Sequence, residues 1–180
     1  MTKSARLSDL ATMARACTRC DLRTPGQRVV FGEGNVESSV VFVGEASFIR
    51  RTDELFNQML EEAGFLREDV YITNILKCCP RSKPTLSQRA TCLPWLRKEY
   101  CILRPSVMVL LGLVTAQDIL DKDIKMTQCR GKWFKRGNTM MMPVYHPGAV
   151  VHNPLRREIF VDDLRCVKLV CDGLSAGIPL

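Results

Sequence analysis

Four spaced thiols narrow the fold of this chain more than any other feature. Cys17-Thr-Arg-Cys20 lies near the start, Cys78 follows in Leu76-Lys77-Cys78, and Cys92 comes fourteen residues later. Four thiolates are what an iron–sulfur cube or a zinc ion requires, and both use the same ligands. A fold that satisfies them must bring three separate stretches of chain to one place.

The remaining cysteines set the compartment. Nine in all is an odd number, and no N-terminal apolar run with a cleavage site precedes them, so a secreted disulfide framework is disfavoured and a reducing, cytoplasmic setting is expected. Cys79 is a rival to Cys78. Cys101 falls inside a predicted helix, where a small buried thiol is expected; Cys129, Cys166 and Cys171 read as spare or core cysteines.

At 180 residues the chain reads as one domain, residues 1–180, large enough to bury a core without a metal. A metal centre here would staple a region rather than replace the core. The net charge of +7, with pairs at Arg50-Arg51 and Arg156-Arg157, favours a polyanionic partner. No apolar stretch reaches membrane-spanning length; Val107 to Leu113 is long enough only for a buried strand, so no membrane partner is expected.

Apolar spacing predicts an alternation of strands and helices. Leu7 to Ala16 reads as a helix that delivers Cys17 and Cys20 at its end. Strands are expected at Val40–Val43, Val70–Asn74, Val107–Leu111 and Met140–Tyr145. Helices are expected at Asp53–Gly64, Arg89–Leu103, Leu113–Leu120 and Arg157–Cys171. Such alternation implies a mainly parallel sheet with helices on both faces, a three-layer α/β/α sandwich.

In sheets of this kind ligands sit at the carboxyl ends of the strands. Gly44-Glu45-Ala46-Ser47, Ile72-Thr73-Asn74 and His146-Pro147-Gly148 each fall at such an end. Glu45, Asn74 and His146 are therefore expected to share one crevice.

These fragments occur in order with others: Cys17-Thr-Arg-Cys20-Asp-Leu, Val30-Phe-Gly-Glu-Gly-Asn, Val43-Gly-Glu-Ala, Tyr71-Ile-Thr-Asn74, Lys77-Cys78, Pro84-Thr85, Arg104-Pro105, Leu111-Gly112, Arg130-Gly131, His146-Pro147 and Asn153-Pro154. The series resembles the family 4 uracil-DNA glycosylases, the iron–sulfur branch of the uracil-DNA glycosylase superfamily, from Leu10 to Val170. The resemblance implies a [4Fe–4S] cluster on Cys17, Cys20, Cys78 and Cys92. It also implies hydrolysis of the N-glycosidic bond of a uracil flipped out of DNA, leaving an abasic site for base excision repair.

Site roles follow from the resemblance. His146 would donate to the uracil O2 as negative charge develops there. Asn74 would read the base, donating to O4 and accepting from N3–H, a pairing cytosine cannot satisfy. Glu45 would favour the cationic sugar or place the attacking water. Gly44, Ala46, Ser47 and Phe48 would line the base. Gly148-Ala149-Val150-Val151-His152 takes the place of the loop that enters the duplex, with Pro147 at its base and Val150 and Val151 as apolar wedges. Arg156, Arg157 and Lys132 would meet phosphates. The expected partner is uracil-bearing DNA, bound by a monomer.

One segment departs from the family pattern. After Gly44-Glu45-Ala46 the chain runs Ser47-Phe48-Ile49-Arg50-Arg51-Thr52-Asp53 straight into a helix, a loop roughly ten residues shorter than a typical member's. Phe48 is the candidate for the missing stacking aromatic, and Asp53 or Glu54 for the missing acid. An open pocket leaves two further readings: a glycosylase for a bulkier modified pyrimidine, in defence against modified foreign DNA, and a DNA-binding module without chemistry.

Overall fold

The structure, a computed structural model, describes residues 1–24, 27–46, 50–80, 82–151 and 153–176, with the side chains of residues 50–53 outside that description. In chain order the elements are α1 (Lys3–Arg15), β1 (Glu33–Gly34), β2 (Val40–Gly44), α2 (Arg50–Glu62), a 3-10 turn (Arg67–Asp69), β3 (Tyr71–Asn74), α3 (Leu86–Leu103), β4 (Val107–Leu111), α4 (Leu113–Ile119), α5 (Met126–Cys129), β5 (Phe134–Arg136), β6 (Thr139–Val144), α6 (Pro147–Val150) and α7 (Pro154–Ser175).

The six strands form one sheet in the order β1-β3-β2-β4-β6-β5. The central four are parallel, and the two edges are antiparallel. Alternate side chains of a strand face opposite ways, and β2 divides cleanly on that rule. Val40 and Phe42 join the core under α2 and α7, whereas Val41 and Val43 join the core under α1 and α3. Phe42 meets Phe56 of α2 edge-on at 5.6 Å and Phe65 at 5.8 Å. Helices thus cover both faces of a sheet whose inner strands are apolar on both sides, as parallel sheets require.

Local chemistry sets the element ends. Thr85 accepts from the Gln88 backbone while the Gln88 side chain returns to the Thr85 backbone, and this capping box starts α3 three residues before the predicted Arg89. Pro154 at the first turn and Asn153 as cap likewise start α7 ahead of Arg157. Gly64, at φ +86°, closes the turn after α2. The edge strands β1 and β5, of two and three residues, are too short to show a period in sequence.

Consecutive parallel strands β2 and β3 lie side by side, and the chain then crosses to place β4 on the other flank of β2. The order of strands therefore reverses between β2 and β4, which opens a crevice at their carboxyl ends.

Candidate functional site

Backbone bonds draw the ends of β2 and β3 together. Gly44 pairs with Asn74, and the N–H groups of Ile75 and Leu76 donate to the carbonyls of Gly44 and Glu45, each at 2.9 Å. Glu45 and Asn74 thus sit on adjacent strand ends. On the other side of the switch, Leu111 pairs with Val144, and the Gly112 N–H donates to the Val144 carbonyl at 2.9 Å. Gly112, at φ +92°, lies so close to His146 that a Cβ there would fall 3.0 Å from the histidine Cβ. The crevice between β2 and β4 accordingly has Glu45 and Asn74 on one flank and His146 on the other.

The three side chains differ in how they are held. His146 caps α6, and its Nδ1 accepts the Gly148 N–H at 3.0 Å. Burial lowers its pKa, so the ring is held neutral with its proton on Nε2. The Asn74 carboxamide, oriented to satisfy its surroundings, donates from its nitrogen to the Ala46 carbonyl at 2.7 Å and the Thr73 carbonyl at 3.2 Å. Its oxygen is then what the amide has left to offer a base. One carboxylate oxygen of Glu45 is buried with no hydrogen-bond partner among the described residues. Arg89 Nη1 lies 3.9 Å from that oxygen, and Arg89 is itself anchored to Asp118 at 2.6 Å.

A second site lies where α1, the segment after β3 and α3 meet. Cys17, Cys20, Cys78 and Cys92 line one small cavity with Arg19, Arg23, Lys77 and Trp95. Cys78, not Cys79, lines it. Among the described residues no group of three or more His, Cys, Asp or Glu side chains is arranged to hold a metal ion. Burial, with the thiols of Cys92, Cys20 and Cys17, pushes the Cys78 thiol up. Burial likewise raises Cys92 against the pull of the Lys77 backbone and charge. At Cys17 burial is outweighed by hydrogen bonds from Arg19 and Trp95, and its pKa falls. N–H groups point at sulfur here, among them Arg19 Nε to Cys17 at 3.5 Å and the Lys77 backbone to Cys92 at 3.3 Å. Crowded thiols with N–H donors are a chemically suitable donor set for an iron–sulfur group, because a bound cationic core removes the penalty on their ionisation.

The family model described as Uracil DNA glycosylase superfamily matches residues 31–165. A type-4 uracil-DNA glycosylase of Archaeoglobus fulgidus is 33% identical over 187 residues, covering 92% of this chain and 93% of the relative. The chain belongs to the type-4 uracil-DNA glycosylase family. Type-4 enzymes of Thermotoga maritima, 31% identical over 93% of this chain and 95% of theirs, and Saccharolobus solfataricus, 30% identical over 88% and 83%, are similar as well.

The structure corrects several residue assignments within this family frame. Pro147 and Val150 are buried, and Val150 packs in the core with Phe160 and Leu164. Residues three apart share a helix face, so α6 turns this pair inward and leaves Gly148 and Ala149 exposed. Val150 is thus turned into the core rather than outward as a wedge, and Pro147, expected as a DNA contact, is buried with it; Val151 is half-buried. Arg157 binds Glu62 with both terminal nitrogens, one at 2.9 Å, which ties α7 to α2 and commits its charge. Arg156 is exposed, with its guanidinium 5.5 Å from the Tyr145 ring centre. Cys101 is exposed on α3 rather than buried. Ser47, Phe48 and His152 lie outside the described residues, as does the side chain of Asp53; Glu54 is exposed.

Sequence reasoning missed Arg89 and Gly112 as parts of the site. Arg89 gave no signal, since an arginine at the start of a helix reads as surface charge. Gly112 was visible in Leu111-Gly112 but its contact with His146 required the β4–β6 register. Among the described residues no helix is long and apolar enough to cross a membrane.

Proposed function

We propose that this protein excises uracil from DNA by hydrolysing the bond between uracil and deoxyribose, leaving an abasic site. The bond's electron pair leaves with the base, and water adds to the sugar carbon. The observation that carries this reading is the neutral His146 ring with its proton fixed on Nε2, on the flank of the crevice opposite Asn74 and Glu45. An uncharged N–H donor gains most as charge develops on the leaving base. Asn74 reads the base through its carboxamide oxygen, which accepts from N3–H of uracil where cytosine has no proton to give. Glu45, one of whose oxygens has no hydrogen-bond partner among the described residues, receives a proton from the attacking water or offsets charge on the sugar. Gly44 and Ala46 line the base, and Arg156 meets the phosphate backbone.

Cys17, Cys20, Cys78 and Cys92 hold a [4Fe–4S] cluster in this reading, supported by their common cavity and by family membership. When bound, such a cluster cross-links α1, the end of β3 and α3. One domain carries both sites and acts as a monomer in the cytoplasm. The relatives are named for uracil, which favours this reading over a bulkier pyrimidine or a module without chemistry. The test is an alkaline-cleavage gel across oligonucleotides carrying uracil, 5-hydroxymethyluracil or cytosine. Cleavage at uracil alone is expected; cleavage only at the bulkier base would overturn the assignment.

A further inference from the structure

Lys77 and Glu99 are a buried ion pair, 2% and 0% exposed. The ammonium donates to Glu99 Oε2, to Thr73 Oγ1 at 2.9 Å and to the main-chain carbonyl of Asn74 at 2.8 Å. Glu99 also accepts from the Tyr71 hydroxyl at 3.3 Å and the Gly32 N–H at 3.3 Å. The Lys77 backbone N–H donates to Cys92 sulfur at 3.3 Å. Glu99 is therefore well satisfied, and the four donors of this lysine divide between two elements: Thr73 and Asn74 belong to β3, Glu99 and Cys92 to α3. A buried ion pair adds little net stability over well-packed apolar residues. Its directional bonds nevertheless fix the atoms they reach, and here those atoms belong to two sites.

We propose that Lys77 is a positioning residue that couples the thiol cavity to the base-reading end of β3, its side chain holding the Asn74 peptide and its main chain the Cys92 sulfur. The inference rests on the glycosylase reading above. The Asn74 peptide is gripped on its other side as well, since the Ile75 N–H donates to the Gly44 carbonyl. Without the ammonium, a buried carbonyl loses its donor, and a peptide that seeks another partner turns the carboxamide that faces Ala46. The segment Asn74-Ile75-Leu76-Lys77-Cys78 is short and its carbonyls and N–H groups are bonded at both ends, so a shift at Asn74 is carried to Cys78 and Cys92. Coupling of this kind is reciprocal.

The test uses the full chain as purified with its iron. Lys77→Met alone strands Glu99 without a counterion, so the informative variant is Lys77→Met with Glu99→Gln, which removes both charges and keeps the acceptor for Tyr71 and Thr73. Expected are a cooperative melt, single-turnover uracil release slowed about tenfold with KM little changed, and iron lost to a chelator several-fold faster. A folded variant with either readout at the wild-type value overturns the coupling. Should the double variant fail to fold, Thr73→Val, which removes one of the ammonium's acceptors at constant shape, is expected to move both readouts in the same direction by less. A Thr73→Val protein at wild-type values in both overturns it equally. A wild type that retains iron but releases no uracil defeats the glycosylase reading instead, and iron retention then decides the coupling.

Discussion

The Gly148 N–H donates to His146 Nδ1 across 3.0 Å, and so a neutral His146 carries its proton on Nε2. A second proton on the ring would set Nδ1–H against that N–H, donor against donor. Burial acts in the same direction, lowering the pKa of the imidazole. The site therefore holds a neutral donor ready before any charge appears on the base.

This relationship gives a pH dependence with a definite sign. Uracil release should be level around neutrality and fall only as pH drops through the depressed His146 pKa, below the ordinary histidine value of about 6.5. Stability follows the same group: the unfolded chain binds the proton more readily, so the contribution is complete above about pH 6.5 and is lost as pH falls below it. Rates and melting curves between mildly acidic and neutral pH, with His146→Ala as reference, check both limbs.

Gly112→Ala should damage the site from outside it. The φ of +92° disfavours any side chain, and the new Cβ would meet His146 at 3.0 Å. A loss of about 1–3 kcal/mol is expected from the strained backbone, read by denaturant melts, together with a fall in kcat as the ring is displaced.

Much of this fold was legible because its inner strands and long helices carry strong periods. Val40–Val43 and Val107–Leu111 lie in the sheet where their apolar runs placed them. Glu45, Asn74 and His146 all lie at ends of parallel strands on one side of the sheet, a consequence of topology that sequence order reveals. What stayed hidden depends on contacts made at a distance. Val150 looked like a wedge because a turn of only four residues gives no readable face, and Arg157 looked available because Glu62 lies far away in sequence. Lys77 appeared only as a neighbour of Cys78, its burial beneath Glu99 being a property of α3 packed on β3.

Iron binding should discriminate among the cysteines. Cys92→Ala is expected to lose iron and the brown colour and to melt earlier, because one thiolate joins α3 to distant chain. Cys79→Ala and Cys101→Ser should keep both. Iron content per chain and visible absorption after anaerobic purification decide this; colourless protein with stoichiometric zinc would remove the cluster assignment.

The adjacent arginines should separate. Arg156→Glu is expected to weaken binding to all DNA sequences and to reduce the slope of log affinity against log salt by about one. Arg157→Glu should act on the fold instead, by breaking its contact with Glu62; the pair is more than a third exposed, so the loss is limited to about 1 kcal/mol. Salt titrations of DNA affinity beside thermal melts distinguish the two.

The most direct measurement is single-turnover release of uracil from a duplex oligonucleotide by the wild type and by His146→Ala, with DNA affinity measured in parallel. The account predicts release by the wild type, none from the matched cytosine duplex, and a rate roughly two to four powers of ten lower in the variant at nearly unchanged affinity. Wild-type protein with its iron intact that releases no uracil, or a His146→Ala rate equal to wild type, would contradict it.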